Sequence, residues 1–434
     1  MALRRLDLRG TSADRRTLRR ELPAPVDEQD RSAGAVADII AEVRRDGDAA
    51  LRRLTEAFDG VRIDDLRVPE PVVTSALGRI PAELRRALEV AHERIAAFHA
   101  HEIPAAAEAW ESDGITVRQL VRPVDRAGCY APGGRARYPS TVLMTATPAR
   151  VAGVGEVALC VPPGPDGQVD DASLAAAALA GVDEVFRVGG AQAIAALAYG
   201  TETVVPVDVI VGPGNRYVAE AKRQVSGVVG VASAFAGPSE VVVVADGDSP
   251  TDLCAVDLLV QAEHGPDGLA WLVTWSEEKA DQVDEAVDRL MGDSPRRAEL
   301  EATMAAGGWA VVVDGPEQAA AVIDVVAPEH LELLVDEAVA EPLVDAVASA
   351  GAVFVGPDSP ASVGDYLAGP NHVLPTNRTA RFAGPLRVED FVRRPHAVTV
   401  SRRALDELGG HVVTLAEAEG LPAHADSVRR RWDR

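Results

Sequence analysis

Three short β-rich runs, each closed by glycine or proline and followed by an alanine-rich helical stretch, constrain this chain more than any other feature. Val157-Ala158-Leu159-Cys160-Val161 ends at Pro162-Pro163-Gly164, and Glu184-Val185-Phe186-Arg187-Val188 ends at Gly189-Gly190. Val207-Asp208-Val209-Ile210-Val211 ends at Gly212-Pro213-Gly214. Near-continuous apolar strands alternating with helices form parallel sheets, because a parallel neighbour is reached only through a long crossover, usually a helix. A Gly/Pro-containing connection over 234–239 leads into a second series, with strands expected at 240–245, 269–274, 309–313 and 352–355. Upstream, apolar residues at three- and four-residue spacing predict helices over 36–43, 51–58 and 82–100. From Phe382 the elements become short and mixed, and a helical tail runs from Ala404 to Arg431. At 434 residues the chain exceeds one ordinary core. Two α/β units side by side place a ligand in the cleft between them.

The formal charge of −24 argues against nucleic acid and anionic membrane surfaces as partners, since binders of both carry basic faces. The first residues, Met1-Ala2-Leu3-Arg4-Arg5-Leu6-Asp7, hold no apolar signal core, and no apolar run reaches the length of a membrane span. Three scattered cysteines (Cys129, Cys160 and Cys254) make neither a disulfide framework nor a thiolate zinc site. A cytoplasmic protein is the expectation. Lys222 and Lys279 are the only lysines. Two readings of that bias stay open, a GC-rich genome and adaptation to a saline cytosol.

Candidate phosphate cradles come from glycines at strand ends. Gly153-Val154-Gly155-Glu156-Val157-Ala158 has the letters of a dinucleotide fingerprint, but it precedes a strand instead of following one. Better placed are Gly189-Gly190-Ala191-Gln192 and Gly212-Pro213-Gly214-Asn215, where helix N-termini offer backbone N–H groups to a pyrophosphate. In a third loop after a strand, Cys129-Tyr130-Ala131-Pro132-Gly133-Gly134, Tyr130 is placed to stack on a base or ribose.

Acid–base and metal chemistry has its own candidates. Ala327-Pro328-Glu329-His330-Leu331-Glu332 sets a carboxylate beside an imidazole whose pKa suits proton transfer near neutrality. Gln261 and His264, three apart at the end of an apolar helix, project from one face and make half of a metal site or a simple helix cap. The segment Gly364-Asp365-Tyr366-Leu367-Ala368-Gly369-Pro370-Asn371-His372 packs Asp, Tyr, Asn and His into irregular chain. Near the terminus lies Glu419-Gly420-Leu421-Pro422-Ala423-His424. Two histidines, one carboxylate and an amide oxygen suit zinc or another borderline divalent ion, if a fold gathers them.

Taken in order and spacing, these blocks resemble the histidinol dehydrogenase family. The resemblance also includes Ala236-Gly237-Pro238-Ser239-Glu240 and Asn371-His372-Val373-Leu374-Pro375-Thr376, and it runs from about Val26 to the C-terminus. It implies an α/β fold with two Rossmann-like parallel-sheet domains, a helical N-terminal region and a small C-terminal tail domain. The implied division is 26–129 plus 240–381 for the zinc and catalytic residues, 130–239 for NAD, and 382–434 as a dimer-contacting helical tail. It implies one Zn2+ per subunit held by Gln261, His264, Asp365 and His424. NAD contacts fall to Tyr130, Gln192 and Asn215, and proton chemistry to Glu329 and His330. Substrate contacts fall to Ser239, His330, His372, Glu419 and the zinc ligands. The implied activity is the NAD-linked oxidation of L-histidinol through L-histidinal to L-histidine, by a homodimer whose Glu419 and His424 complete the partner's site. Two rival readings are a zinc hydrolase, which leaves the two glycine turns idle, and a nucleotide-sensing or scaffold protein with a degenerate site, against which intact candidates at every position count.

Overall fold

The computed structural model describes residues 2–23, 32–104, 108–133, 137–232, 239–263 and 268–432. Its strands are β1 (Arg4–Asp7), β2 (Trp110–Ser112), β3 (Ile115–Gln119), β4 (Arg122–Pro123), β5 (Arg126–Tyr130), β6 (Glu156–Cys160), β7 (Glu184–Phe186) and β8 (Val209–Val211). They continue as β9 (Gly230–Val231), β10 (Glu240–Ala245), β11 (Leu269–Thr274), β12 (Gly308–Val312), β13 (His330–Leu334), β14 (Ala352–Val355), β15 (Val392–Arg393) and β16 (His396–Val400).

Two parallel sheets dominate. One has five strands in the order β7-β6-β5-β8-β9, the other six in the order β1-β12-β11-β10-β13-β14. Counted within its own unit, each follows the winding 3-2-1-4-5, and β1 adds an edge strand to the second. This is the doubly wound arrangement whose direction reverses at a switch point, between β5 and β8 in one sheet and between β10 and β13 in the other. Right-handed crossovers on opposite sides of that point put helices on both faces. The central strands are buried along their whole length, as a parallel sheet covered on both sides requires.

The helices are α1 (Arg15–Glu21), α2 (Ala33–Asp59), α3 (Glu70–Thr74), α4 (Ala82–His101), α5 (Pro139–Ala152), α6 (Asp171–Leu179), α7 (Gly190–Tyr199) and α8 (Arg216–Val225). Those that follow are α9 (Thr251–Ala262), α10 (Glu277–Asp293), α11 (Arg297–Gly307), α12 (Pro316–Val326), α13 (Glu337–Ala346), α14 (Ala361–Tyr366), α15 (Arg402–Ala418) and α16 (Pro422–Trp432). On the five-stranded sheet, α3, α4, α5 and α6 cover one face and α2, α7 and α8 the other. On the six-stranded sheet, α9, α10 and α11 lie opposite α1, α12 and α13.

The N-terminal helices α2 to α4 therefore pack on the five-stranded sheet, whereas the implied division groups 26–129 with 240–381. Val36, Ile40, Val43, Leu51 and Leu54 are buried there against α7, an apolar stripe that matched no particular sheet in sequence. Two further departures concern strands. β1 lies upstream of the expected helical region, and β13 begins at His330, where no strand is expected. The tail is two helices, α15 and α16, broken at Glu419–Leu421. Its preceding strand β16 pairs antiparallel with β3 of the same chain. Among the described residues no helix is long and apolar enough to cross a membrane.

Candidate active site

The adjoining strands β10 and β13 run parallel, with Val241 opposite His330. Their amino ends therefore bring Glu240, Glu329 and His330 side by side. The backbone N–H of Glu240 donates to Glu329 Oε2 at 3.0 Å, and that of Glu329 donates to Glu240 Oε2 at 3.3 Å. His330 Nδ1 lies 3.2 Å from the Glu240 carbonyl oxygen and 3.6 Å from Glu329 Oε2. The other ring nitrogen, Nε2, lies 3.6 Å from Asp365 Oδ1 on α14. Helix α9 leaves the carboxyl end of β10 and returns to its amino edge, so its last turn delivers Gln261, whose Nε2 is 3.2 Å from His330 Nδ1. Gln261 Oε1 is buried and, among the described residues, has no hydrogen-bond partner. The orphaned amide oxygen of Gln261 and the Asp365 carboxylate, whose side chains lie at different nitrogens of the His330 ring, are candidate donors for a divalent cation.

Burial governs the electrostatics here. It pushes Glu329 up to about 7, with the neighbouring His330 and the Glu240 N–H pulling the other way. Burial, then the charge of Glu329, pushes Glu240 up to about 8. For His330, burial favours the neutral ring, but Glu329 and Asp365 outweigh it and the pKa is raised. Groups poised this way near neutrality are what general acid–base chemistry requires.

A second layer ties this cluster to the other sheet. His372 Nδ1 is 2.9 Å from the Asp365 carbonyl oxygen, and its Nε2 is 3.2 Å from Thr141 Oγ1 in the first turn of α5. Helix α5 follows β5, so the carboxyl edge of the five-stranded sheet faces the amino edge of the six-stranded one. Next to His372, Asn371 donates to the Met144 carbonyl at 2.6 Å and lies 3.4 Å from the buried His99 of α4. The 371–377 segment is thus held from both units.

At the switch point of the five-stranded sheet, Gly212 leaves β8 with φ +109°, and a Cβ there would lie 2.0 Å from the Tyr130 carbonyl oxygen. No side-chain rotation relieves a clash with backbone. Gly212→Ala is expected to destabilise the fold by about 1–3 kcal/mol. The measurement is a shifted urea midpoint at unchanged slope; an unchanged midpoint would refute the close approach. Lys222, buried, donates to the Gly212 carbonyl, and burial lowers its pKa to about 7. Asn215 caps α8 by accepting from the N–H groups of Tyr217 and Val218 at 3.0 and 3.1 Å. Tyr130 is 3% exposed with its ring inside the core, so it is not placed to stack on a base as the sequence suggests. Its hydroxyl instead accepts from Gly190 N at 3.1 Å, linking two of the glycine turns. Gln192, in the first turn of α7, is buried, and among the described residues its Oε1 has no hydrogen-bond partner.

A buried carboxyl pair supports the cluster from behind. Glu332 on β13 lies beside Asp257 on α9, and its Oε1 accepts from Ala361 N at the start of α14 at 3.1 Å. One pair thus links the elements carrying His330, Gln261 and Asp365. Burial first, then Asp257, raises the Glu332 pKa, so the pair keeps a proton. A carboxyl whose folded pKa lies above its unfolded value stabilises fully below the unfolded value, and that contribution is lost as pH rises through the folded one. Glu240 and Glu329 act in the same sense. Stability measured in a chelator is therefore expected to fall from pH 5 towards pH 8, and less steeply in Glu332→Gln. Equal slopes in the two proteins would contradict the shared proton.

Comparison with known proteins identifies the family. The sequence model of the histidinol dehydrogenase family matches residues 23–432. Histidinol dehydrogenase of Parasynechococcus marenigrum (strain WH8102) is 51% identical over 398 residues, covering 92% of this chain and 90% of the relative. That of Gluconobacter oxydans (strain 621H) is 46% identical over 404 residues, covering 93% of each. The crystal structure of histidinol dehydrogenase from Elizabethkingia anophelis superposes with a TM-score of 0.91 at 33% identity, covering 100% of this chain and 98% of that one. The chain belongs to the histidinol dehydrogenase family. It is an oxidoreductase.

Within that family's pattern, the structure brings together Gln261, Glu329, His330, Asp365 and His372. Ser239 immediately precedes Glu240, and its carbonyl accepts from Leu269 N. His264 lies outside the described residues. Glu419, at the break between α15 and α16, and His424, in the first turn of α16, are exposed. None of the cluster's hydrogen bonds given above involves either of them. For a histidinol dehydrogenase, the groups that sequence reasoning missed are Glu240, Thr141 and the Asp257–Glu332 pair. A lone carboxyl heading the run Val241-Val242-Val243-Val244 is the signal that points to Glu240.

Proposed function

We propose that this member of the family catalyses the two-step, NAD-linked, zinc-dependent oxidation of L-histidinol through L-histidinal to L-histidine, the closing steps of histidine biosynthesis. The observation that carries the reading is the buried Glu329-His330 pair flanked by Asp365 and the unpartnered amide oxygen of Gln261. Gln261 and Asp365 would hold zinc with His264 and with His424, the last lent by a second subunit of a homodimer along with Glu419. The donor set fits, because a neutral amide is a weak ligand that suits a metal which orients a substrate more than one which ionises water. Zinc, when bound, supplies a fixed positive centre for the imidazole and amine of histidinol. NAD, when bound across the turns at Tyr130, Gln192 and Asn215, accepts the hydride of each oxidation.

The protein's own work is proton movement and placement. In the first oxidation His330 takes the hydroxyl proton, and the carboxylates of Glu329 and Asp365, each 3.6 Å away, stabilise the imidazolium that results. In the second, Glu329, raised to about 7, accepts a proton from the water that adds to the aldehyde. His372, half-buried between Thr141 and Asp365, holds the cleft walls in register on either side of the substrate. A cytoplasmic location fits such an enzyme. The hydrolase alternative would give no NADH from L-histidinol and NAD in a simple absorbance assay, whereas this reading requires it.

A further inference from the structure

Glu240 is the first residue of β10, and the five residues after it are apolar and buried; Glu240 itself is 5% exposed. A carboxyl in that position is costly unless its oxygens are satisfied. Both are. Oε1 accepts from Asn377 N at 3.0 Å, and Oε2 accepts from Glu329 N at 3.3 Å. The main chain of the same residue is equally committed, its N–H to Glu329 Oε2 and its carbonyl to His330 Nδ1. The corner that Glu240 braces is strained. Ala327, a non-glycine residue, sits at φ +49°, and such a conformation persists only where its surroundings over-determine it. The other ties on this corner are Gly351 N to the Pro328 carbonyl and Ala352 N to the Glu329 carbonyl, each at 2.9 Å.

We propose that Glu240 is a positioning residue for Glu329, holding the water-activating carboxyl and the 371–377 segment in place for the second oxidation. This rests on the role given above to Glu329. The side chain of Glu240 reaches the Glu329 corner and Asn377, whereas His330 contacts only its backbone carbonyl, which survives substitution. Changes to the side chain therefore act mainly on the aldehyde-to-acid step and touch the alcohol-to-aldehyde step only weakly, through the placement of the Glu329 charge beside His330. Glutamine cannot replace Glu240 fully, since two backbone N–H groups approach its two oxygens and an amide has only one.

The two steps separate when L-histidinal is the substrate of the zinc-loaded enzyme. Its oxidation with NAD reports the second step, and its reduction with NADH reports the first in reverse. Glu240→Gln is expected to lower kcat for oxidation by about 10²-fold, with reduction and the KM for histidinal within about threefold of wild type. Glu240→Ala follows the same pattern with a larger loss; where it fails to fold, Glu240→Gln alone decides. Equal losses in the two directions, a loss confined to reduction, or no loss at all overturns the proposal. Glu329→Gln serves as the control. If it leaves oxidation intact the assignment of Glu329 has failed; if it abolishes oxidation while Glu240→Gln does not, only the positioning role has failed.

Discussion

Turnover of L-histidinol is expected to fall by about 10²–10⁴-fold in His330→Asn and in Glu329→Gln, with zinc still bound in both. The two losses differ in kind. His330 faces Asp365 on one side and Glu329 on the other at 3.6 Å each, so Asn removes the ring that takes up a proton between two carboxylates. The first hydride transfer then lacks a base, and neither aldehyde nor acid forms. Glu329→Gln keeps the shape, and its amide oxygen can still accept from Glu240 N as Glu329 Oε2 does. The variant therefore folds and makes the first NADH, but water addition to the aldehyde lacks its base. Stopped-flow absorbance distinguishes a missing first step from a missing second one. Metal content measured on the same samples shows that zinc is retained. Wild-type turnover in either variant removes that residue from the mechanism.

Loss of the metal has the second large effect. Chelation, or Asp365→Ala, is expected to lower kcat/KM for histidinol by about 10²–10³-fold, the range associated with losing substrate orientation. The chelated enzyme recovers on adding Zn2+; the variant does not. Thermal unfolding gives an independent readout, because a ligand that binds only the folded state raises the midpoint with its concentration. In Asp365→Ala that rise disappears. The variant still keeps the main-chain carbonyl of residue 365 that faces His372, so a general collapse of the cleft is not expected. A zinc-independent midpoint in the wild-type protein would contradict the metal site.

How far the sequence reaches is clearest at individual residues. Strands that read as apolar runs between glycines, such as 157–161 and 240–245, are found within a residue or two, because parallel-sheet burial demands continuous apolar chain. β13 escaped because His330 and Glu332 interrupt its pattern. Both are buried for the site's sake, so function overrides the local signal there. The repeated winding 3-2-1-4-5 is invisible in sequence, since strand order depends on which side each crossover takes. The crevice rule points to the carboxyl ends of strands, and Gly190 and Gly212 obey it. The Glu329-His330 cluster sits instead at the amino ends of β10 and β13, where the last turn of α9 returns Gln261 to it. Tyr130 and Asn215 show another difficulty. Sequence does not reveal that the Tyr130 ring packs in the core or that the Asn215 side chain caps α8.

The most direct test of the central claim is the stoichiometry of NADH formation from L-histidinol and NAD, with and without a chelator. The Glu329-His330 cluster with its metal predicts two NADH and one L-histidine per histidinol consumed, abolished by the chelator and restored by Zn2+. One NADH per histidinol with aldehyde accumulating, or no NADH over a wide range of salt and pH, would contradict it.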